Sequence, residues 1–228
     1  MSVPRPSADS GVEQVLASAA RLQEVVPDAV LVRGSAAGLY AHHRLSYDHD
    51  HVVADLISRC DMALEAMEET EGWILSRRHS RRPVTIMGSL DGVEAGLRQL
   101  RRSRPLEAEQ LPLPGGGVVR VPTYEEIIRV KGWLVLQRRA VRDYLDVAAC
   151  TDITSAFTAA EVLRRLDHFY DAGEDGTVSV LLAEALANPA PRDPRVIAEL
   201  PSYKGLAKRW HDWGNVVAVC QEIAREMM

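Results

Sequence analysis

Asp48 and Asp50 stand two residues apart in "SYDHDHVVADL", a run whose second half reads as a buried strand. On a strand, residues i and i+2 point to one face, with Cα atoms about 6–7 Å apart. Two carboxylates are thus aimed together, and like charges that close repel. Either both are solvated in an acidic turn, or the fold supplies a cation between them. Upstream, "DAVLV" reads as a short buried strand, Gly34 and Ser35 as a turn, and "SAAGLYAHH" as a short helix. The paired acids follow thirteen residues after Ser35. A strand-to-helix turn leaves backbone N–H groups to hold an anion. Paired acids suit a hard cation such as Mg²⁺, which completes its shell with water and phosphate oxygens. The combination predicts a phosphate-bearing ligand. His49 and His51 alternate to the opposite face, so a transition-metal cluster ranks below this; they are expected to cap the sheet or touch ligand edges.

The rest of the chain divides into an α/β part and a helical part. A helix is expected from Ser10, with Val12, Val15, Leu16, Ala19 and Leu22 at helical spacing, behind a frayed Pro- and Ser-rich start over residues 1–9. "DMALEAMEETEG" is helical, "GWILSRRHSRRPVTIMGS" reads as two strands around a basic turn, and "GVEAGLRQLRR" is open between helix and strand. The breaker cluster Gly115–Gly117 places a boundary, giving domains 1–117 and 118–228. Beyond it, Thr123 and Glu126 form a capping-box pattern at the head of "YEEIIRVKGWLVLQRR", and four more helical segments follow. The fold class is α+β: a mixed sheet with flanking helices, then a helical C-terminal region that completes the active-site cleft.

Lys131 is a second anomaly. On a helical wheel Ile127, Ile128, Val130, Leu134 and Val135 form one apolar stripe, with Lys131 near its centre and Glu125, Arg129 and Gly132 elsewhere. A lysine on a core-facing surface is costly unless it is paired or reaches a cleft. It either snorkels to solvent or meets a phosphate as a point charge. Fifteen residues on, Asp146 lies four residues after Arg142 and three after Asp143; a surface ion pair to Arg142 would explain it if it stood alone, but this acid-rich helix directly follows the one bearing Lys131.

With 228 residues, 46% apolar, the chain can build a sizeable core. A formal net charge of −5 excludes a surface that grips nucleic acid all over. Any such contact is local, and the arginine clusters Arg77, Arg78, Arg81, Arg82 and Arg98, Arg101, Arg102, Arg104 are the candidates, against the default of a solvated face. Trp210, His211 and Trp213 are placed in helix packing ahead of base stacking. Three scattered cysteines fit a reducing, cytoplasmic setting. No apolar run is long enough to span a membrane, and no signal peptide is read.

Taken in order, "VRGSAAGLY", "HRLSYDHDHVV" and "EEIIRVKGWLVLQRRAVRDYLDVAA" resemble the AbiEii/AbiGii-type nucleotidyltransferase toxins, the family that includes the MenT toxins. Arg44, Ser46, Asp48 and Asp50 match the first block of that family's pattern; Glu126, Lys131, Arg142, Asp143 and Asp146 match the second. The resemblance spans roughly residues 28–150. Two departures stand out. Arg33 occupies the place of the first glycine of the family's G-G-T turn, with Ser35 for the threonine. "VTIMGS" also lacks a third strand acid, a role the family gives to the position of Asp146.

The resemblance implies transfer of a nucleoside monophosphate from an NTP to an acceptor, with pyrophosphate released. For some members the acceptor is a tRNA 3′ end. Asp48 and Asp50 would hold Mg²⁺, Gly34 and Ser35 the phosphates, and Lys131 would neutralise the triphosphate with help from Arg142. Asp146 would act as general base or help hold the metal. Arg44 and Ser46 would lie at the nucleotide, and Ser46 matches a position that some members have modified by an antitoxin partner. Two alternatives stay open: a nucleotidyltransferase acting on a small molecule such as an antibiotic, and a non-catalytic module of the same fold, for which Arg33 is the best indication.

Overall fold

The computed structural model describes residues 8–228 apart from 103, 114, 174, 175 and 204; the frayed start predicted over 1–9 falls largely outside them. The chain divides into two compact units. One holds the described residues to Ala36 together with Leu45–Thr123; the other holds Ala37–Arg44 and Tyr124–Met228.

The first unit is built on a five-stranded mixed sheet in the order β1-β2-β5-β4-β3, with β1 Val30–Val32, β2 Asp48–Val53, β3 Trp73–Leu75, β4 Thr85–Leu90 and β5 Val93–Gln99. Only β2 and β5 run parallel; the other pairs are antiparallel. The segment left open between helix and strand is thus β5, next to β2. Two helices, α1 Ala8–Val25 and α3 Leu56–Glu68, supply the apolar side chains that cover one sheet face. Leu22, Val26, Leu56, Cys60 and Met67 pack there against Val53, Ile86, Leu90, Ala95 and Leu97. The strands alternate, so Asp48 and Asp50 fall on the other face, and His49 and His51 on the covered one. Both histidines are buried beneath α1, inside the covered face and not capping the sheet. His49 bonds Ser18 of α1 at 3.0 Å, and the two rings meet edge to face at 5.2 Å. Helix α1 begins at Ala8, two residues before the predicted start.

A hairpin completes this unit: β6 Ala108–Pro112 with β7 Val118–Pro122. Gly116 and Gly117 are its turn, at φ +89° and +84°, a conformation glycine adopts without a Cβ penalty. The breaker cluster marks this turn, and the division between units falls later, at Thr123–Tyr124.

The second unit is helical: the later part of α2 Arg33–Ala41, then α4 Tyr124–Arg138, α5 Val141–Thr151, α6 Ala156–Leu163, α7 Val178–Ala187 and α8 Trp213–Met227. Thr123 directly precedes α4, where the capping pattern placed it. The single stripe predicted for α4 is too narrow, because Arg129 and Gly132 are buried as well. A Cβ on Gly132 would stand 2.7 Å from Leu163 and 2.9 Å from Leu182, so α6 and α7 pack on a side that the wheel left outside the apolar stripe. Trp210 is buried and Trp213 stands edge to face on Tyr144 at 6.1 Å, which is packing. Across the described residues the architecture is α+β, with a mixed sheet, flanking helices and a C-terminal helical region, and no helix is long and apolar enough to cross a membrane.

Candidate functional site

In the first unit the site lies on the face of β2 and β5 opposite the one that α1 and α3 cover. Chain direction turns sharply where β1 ends at Val32 and α2 begins at Arg33. Arg33 has φ +66°, a left-handed backbone unusual for any residue with a Cβ. Gly34 and Ser35 form the first turn of α2, and the Ser35 hydroxyl donates to the backbone carbonyl of Asp48 at 2.5 Å, tying the turn to the acidic strand. Ser46 donates to Asp48 Oδ1 at 2.8 Å. Asp48 is half-buried.

Asp50 is only 3% exposed, and both its oxygens are engaged. Oδ1 accepts from Arg98 Nε at 2.8 Å, and Oδ2 lies 2.7 Å from a terminal nitrogen of Arg33. Gly96 stands opposite Asp50 on β5, and a Cβ there would come within 2.7 Å of Asp50 Oδ1 and 2.6 Å of Met87 Sδ. The stretch noted as lacking a third acid, "VTIMGS", falls on β4. The strand beside Asp50 is β5, and it presents Arg98 there. One of the two carboxylates, Asp50, therefore meets two guanidinium groups, and Asp48 meets the Ser46 hydroxyl.

Asp48 and Asp50 are hard oxygen donors and fit a divalent cation in kind. They fit it in the arrangement present only if a guanidinium leaves Asp50. No group of three or more His, Cys, Asp or Glu side chains able to hold a metal occurs among the described residues.

In the second unit the functional side chains meet around Asp146, on α5. This carboxylate is fully buried and accepts four hydrogen bonds: from His43 Nε2 at 2.7 Å, Arg44 Nε at 2.9 Å, a terminal nitrogen of Arg44 at 3.0 Å and Lys131 Nζ at 2.6 Å. Burial alone would raise its pKa, but Arg44, Lys131 and the His43 hydrogen bond outweigh burial and hold it well below the usual carboxylate range. Lys131 is 3% exposed: it does not snorkel. Arg142 is exposed, and Asp146 is paired with Arg44 and Lys131, not through a surface ion pair to Arg142. Asp143 accepts from Arg138 at 2.9 Å, and burial pushes its pKa up despite that partner. Glu126 is buried with Arg129 3.5 Å away, and the Arg129 guanidinium lies 4.5 Å above the Phe169 ring.

Sequence reasoning named Lys131, Asp146 and Arg44 but missed His43, whose one signal was its place beside Arg44. It also missed Arg98 and Gly96 as neighbours of Asp50, because strand order is not visible in a linear chain.

Comparison with known proteins gives two different kinds of similarity. No family model matches the chain. In sequence, it is 29% identical over 245 aligned residues to the heme uptake protein MmpL11 of Mycobacterium tuberculosis, an alignment covering 98% of this chain and 23% of that protein. It is 31% identical over 132 residues to the mycolic acid-containing lipids exporter MmpL11 of Mycolicibacterium smegmatis, covering 57% of this chain and 13% of that one. The chain thus spans about a quarter of the length of the first of these relatives. In structure, it superposes on MenT4, a nucleotidyltransferase toxin of M. tuberculosis, with TM-score 0.55 and 14% identity over 97% of this chain and 85% of that one. JHP933 from Helicobacter pylori gives TM-score 0.54 and 14% identity, covering 98% and 95%. The fold is of the nucleotidyltransferase type.

Proposed function

We propose that the chain is a toxin-like nucleotidyltransferase that moves a nucleoside monophosphate from an NTP to a hydroxyl of an RNA acceptor, with the tRNA 3′ end as the leading candidate. The observation that carries this is the buried charge around Asp146. Three cations, Arg44, Lys131 and Arg138, face two carboxylates, Asp146 and Asp143. Cations in excess at a buried position are costly unless an anion completes the set, and a triphosphate is such an anion.

In this mechanism Lys131 and Arg44 neutralise charge on the phosphates, and Gly34 and Ser35 hold them at the head of α2. Asp146 is fully buried and already accepts from four donors. It acts as a positioning residue that fixes Lys131 and Arg44. Asp48 and Asp50 would hold the magnesium ion, which supplies charge neutralisation and orientation of the reacting oxygens. Ser46, bonded to Asp48, fixes that carboxylate.

The basic loops support an RNA acceptor. The β3–β4 connection carries Arg77, Arg78, Arg81 and Arg82, and the segment after β5 carries Arg101, Arg102 and Arg104. A backbone bond from Gln99 to Val84 brings the two segments to one end of the sheet, so separate clusters become one local patch. Arg82 is paired with Asp61 there. A cognate antitoxin and a cytoplasmic location complete the proposal.

The test is incubation of the pure protein with each α-labelled NTP, Mg²⁺ and total tRNA. Label entering RNA is expected, and its loss in Lys131→Met. A non-catalytic nucleotide-binding module is favoured by two observations: Asp50 held by Arg33 and Arg98, and sequence relatives that are long proteins with transport names. It predicts nucleotide binding with no label transferred.

A further inference from the structure

Arg33 combines three features. Its backbone is left-handed at φ +66°, a conformation in which glycine sits without strain and arginine does not. Its guanidinium reaches a carboxylate that is almost wholly buried, at 2.7 Å. That carboxylate is one of the two that a divalent cation would need. The pocket around Asp50 is tight as well, since Gly96 leaves no room for a Cβ beside Oδ1. Asp50 is thus held where it is, and whatever binds it must take the place of a guanidinium already there.

We propose that Arg33 is a built-in competitor for the divalent cation at Asp50, so that the metal affinity of the Asp48–Asp50 pair is set by this one side chain. Arg33 and a cation carry the same sign of charge and call on the same oxygen, Oδ2, and only one is accommodated at a time. Arg98 reaches the other oxygen from the neighbouring strand and is also bonded to Met87 Sδ at 3.3 Å, which anchors it. Arg33 takes Oδ2, so it is the group that a cation at that oxygen must displace. The cation enters as Arg33 departs, and Arg33 in turn becomes available to an anionic ligand.

The inference rests on the proposed function only for the identity of the natural ligand, and its test uses neither nucleotide nor activity. Mn²⁺ is titrated into the full chain and free Mn²⁺ is read by electron paramagnetic resonance. Wild type is expected to bind weakly. Arg33→Gly, which also relieves the left-handed backbone, is expected to bind roughly tenfold tighter, the size of effect a neighbouring like charge exerts. Adding Asp48→Asn to Arg33→Gly should remove the gain, which locates it at the carboxylate pair. Circular dichroism confirms that each variant is folded, and Arg33→Ala serves if the glycine variant is not. Wild type binding as tightly as Arg33→Gly overturns the proposal, and so does an Arg33→Gly chain that gains nothing. Absence of label transfer in the tRNA assay would bear on the proposed function alone.

Discussion

Asp146 is satisfied by four donors from three side chains, and all three owe their geometry to it. Replacing it with asparagine leaves Lys131 and Arg44 buried without a counter-charge. Breaking a buried ion pair from one side costs about 3–5 kcal/mol, so Asp146→Asn should lose stability of that order in urea unfolding monitored by circular dichroism. Lys131→Met differs. Asp146 keeps Arg44 and His43, and methionine fills much of the same volume, so stability should stay within about 1 kcal/mol while nucleotide binding, read by calorimetry, is lost. A fall in stability equal to that of Asp146→Asn would make Lys131 a structural residue only. Lys131 was legible in the sequence because an ammonium on an apolar stripe has few uses. His43 was not, since one histidine beside one arginine is an ordinary surface pair until the helix that faces it is known.

Strand β2 shows what alternation can and cannot reveal. Period-two spacing separated the acids from the histidines, and the structure keeps that separation. It could not reveal β5 as the parallel neighbour, because that pairing joins segments more than forty residues apart. The same limit affected α4, whose wheel showed one apolar stripe; the second buried side exists only because α6 and α7 lie on it. The histidines carry a consequence for pH. Burial lowers His49 to about 4 and His51 well below its ordinary value. The unfolded chain protonates them near pH 6.5, so the unfolded state binds more protons as pH falls below that value. Stability is then lost between about pH 6.5 and 4, with His49 alone contributing about 3 kcal/mol by pH 4. Urea midpoints measured across this range should fall on acidification, and His49→Gln, which can keep the bond to Ser18, should flatten the trend. A profile unchanged by that substitution would place the acid sensitivity elsewhere.

For the whole molecule, the two kinds of similarity concern different properties. The fold links the chain to nucleotidyltransferases at low identity. The sequence links nearly all of it to about a quarter of much longer proteins. The architecture was legible as α+β because strand and helix periods alternate through most of the chain before residue 90 and only helical periods follow Tyr124, while the segment that forms β5 stayed open. The exact division was less so, because a glycine turn inside a hairpin carries the same composition as a linker. The proposed activity, addition of a nucleotide to RNA, is tested by mass spectrometry of purified tRNA. After incubation with NTPs and Mg²⁺, the wild-type protein should raise the tRNA mass by one or more nucleoside monophosphate residues, and Lys131→Met should not. An unchanged tRNA mass with all four NTPs, from folded protein that binds nucleotide, would contradict it.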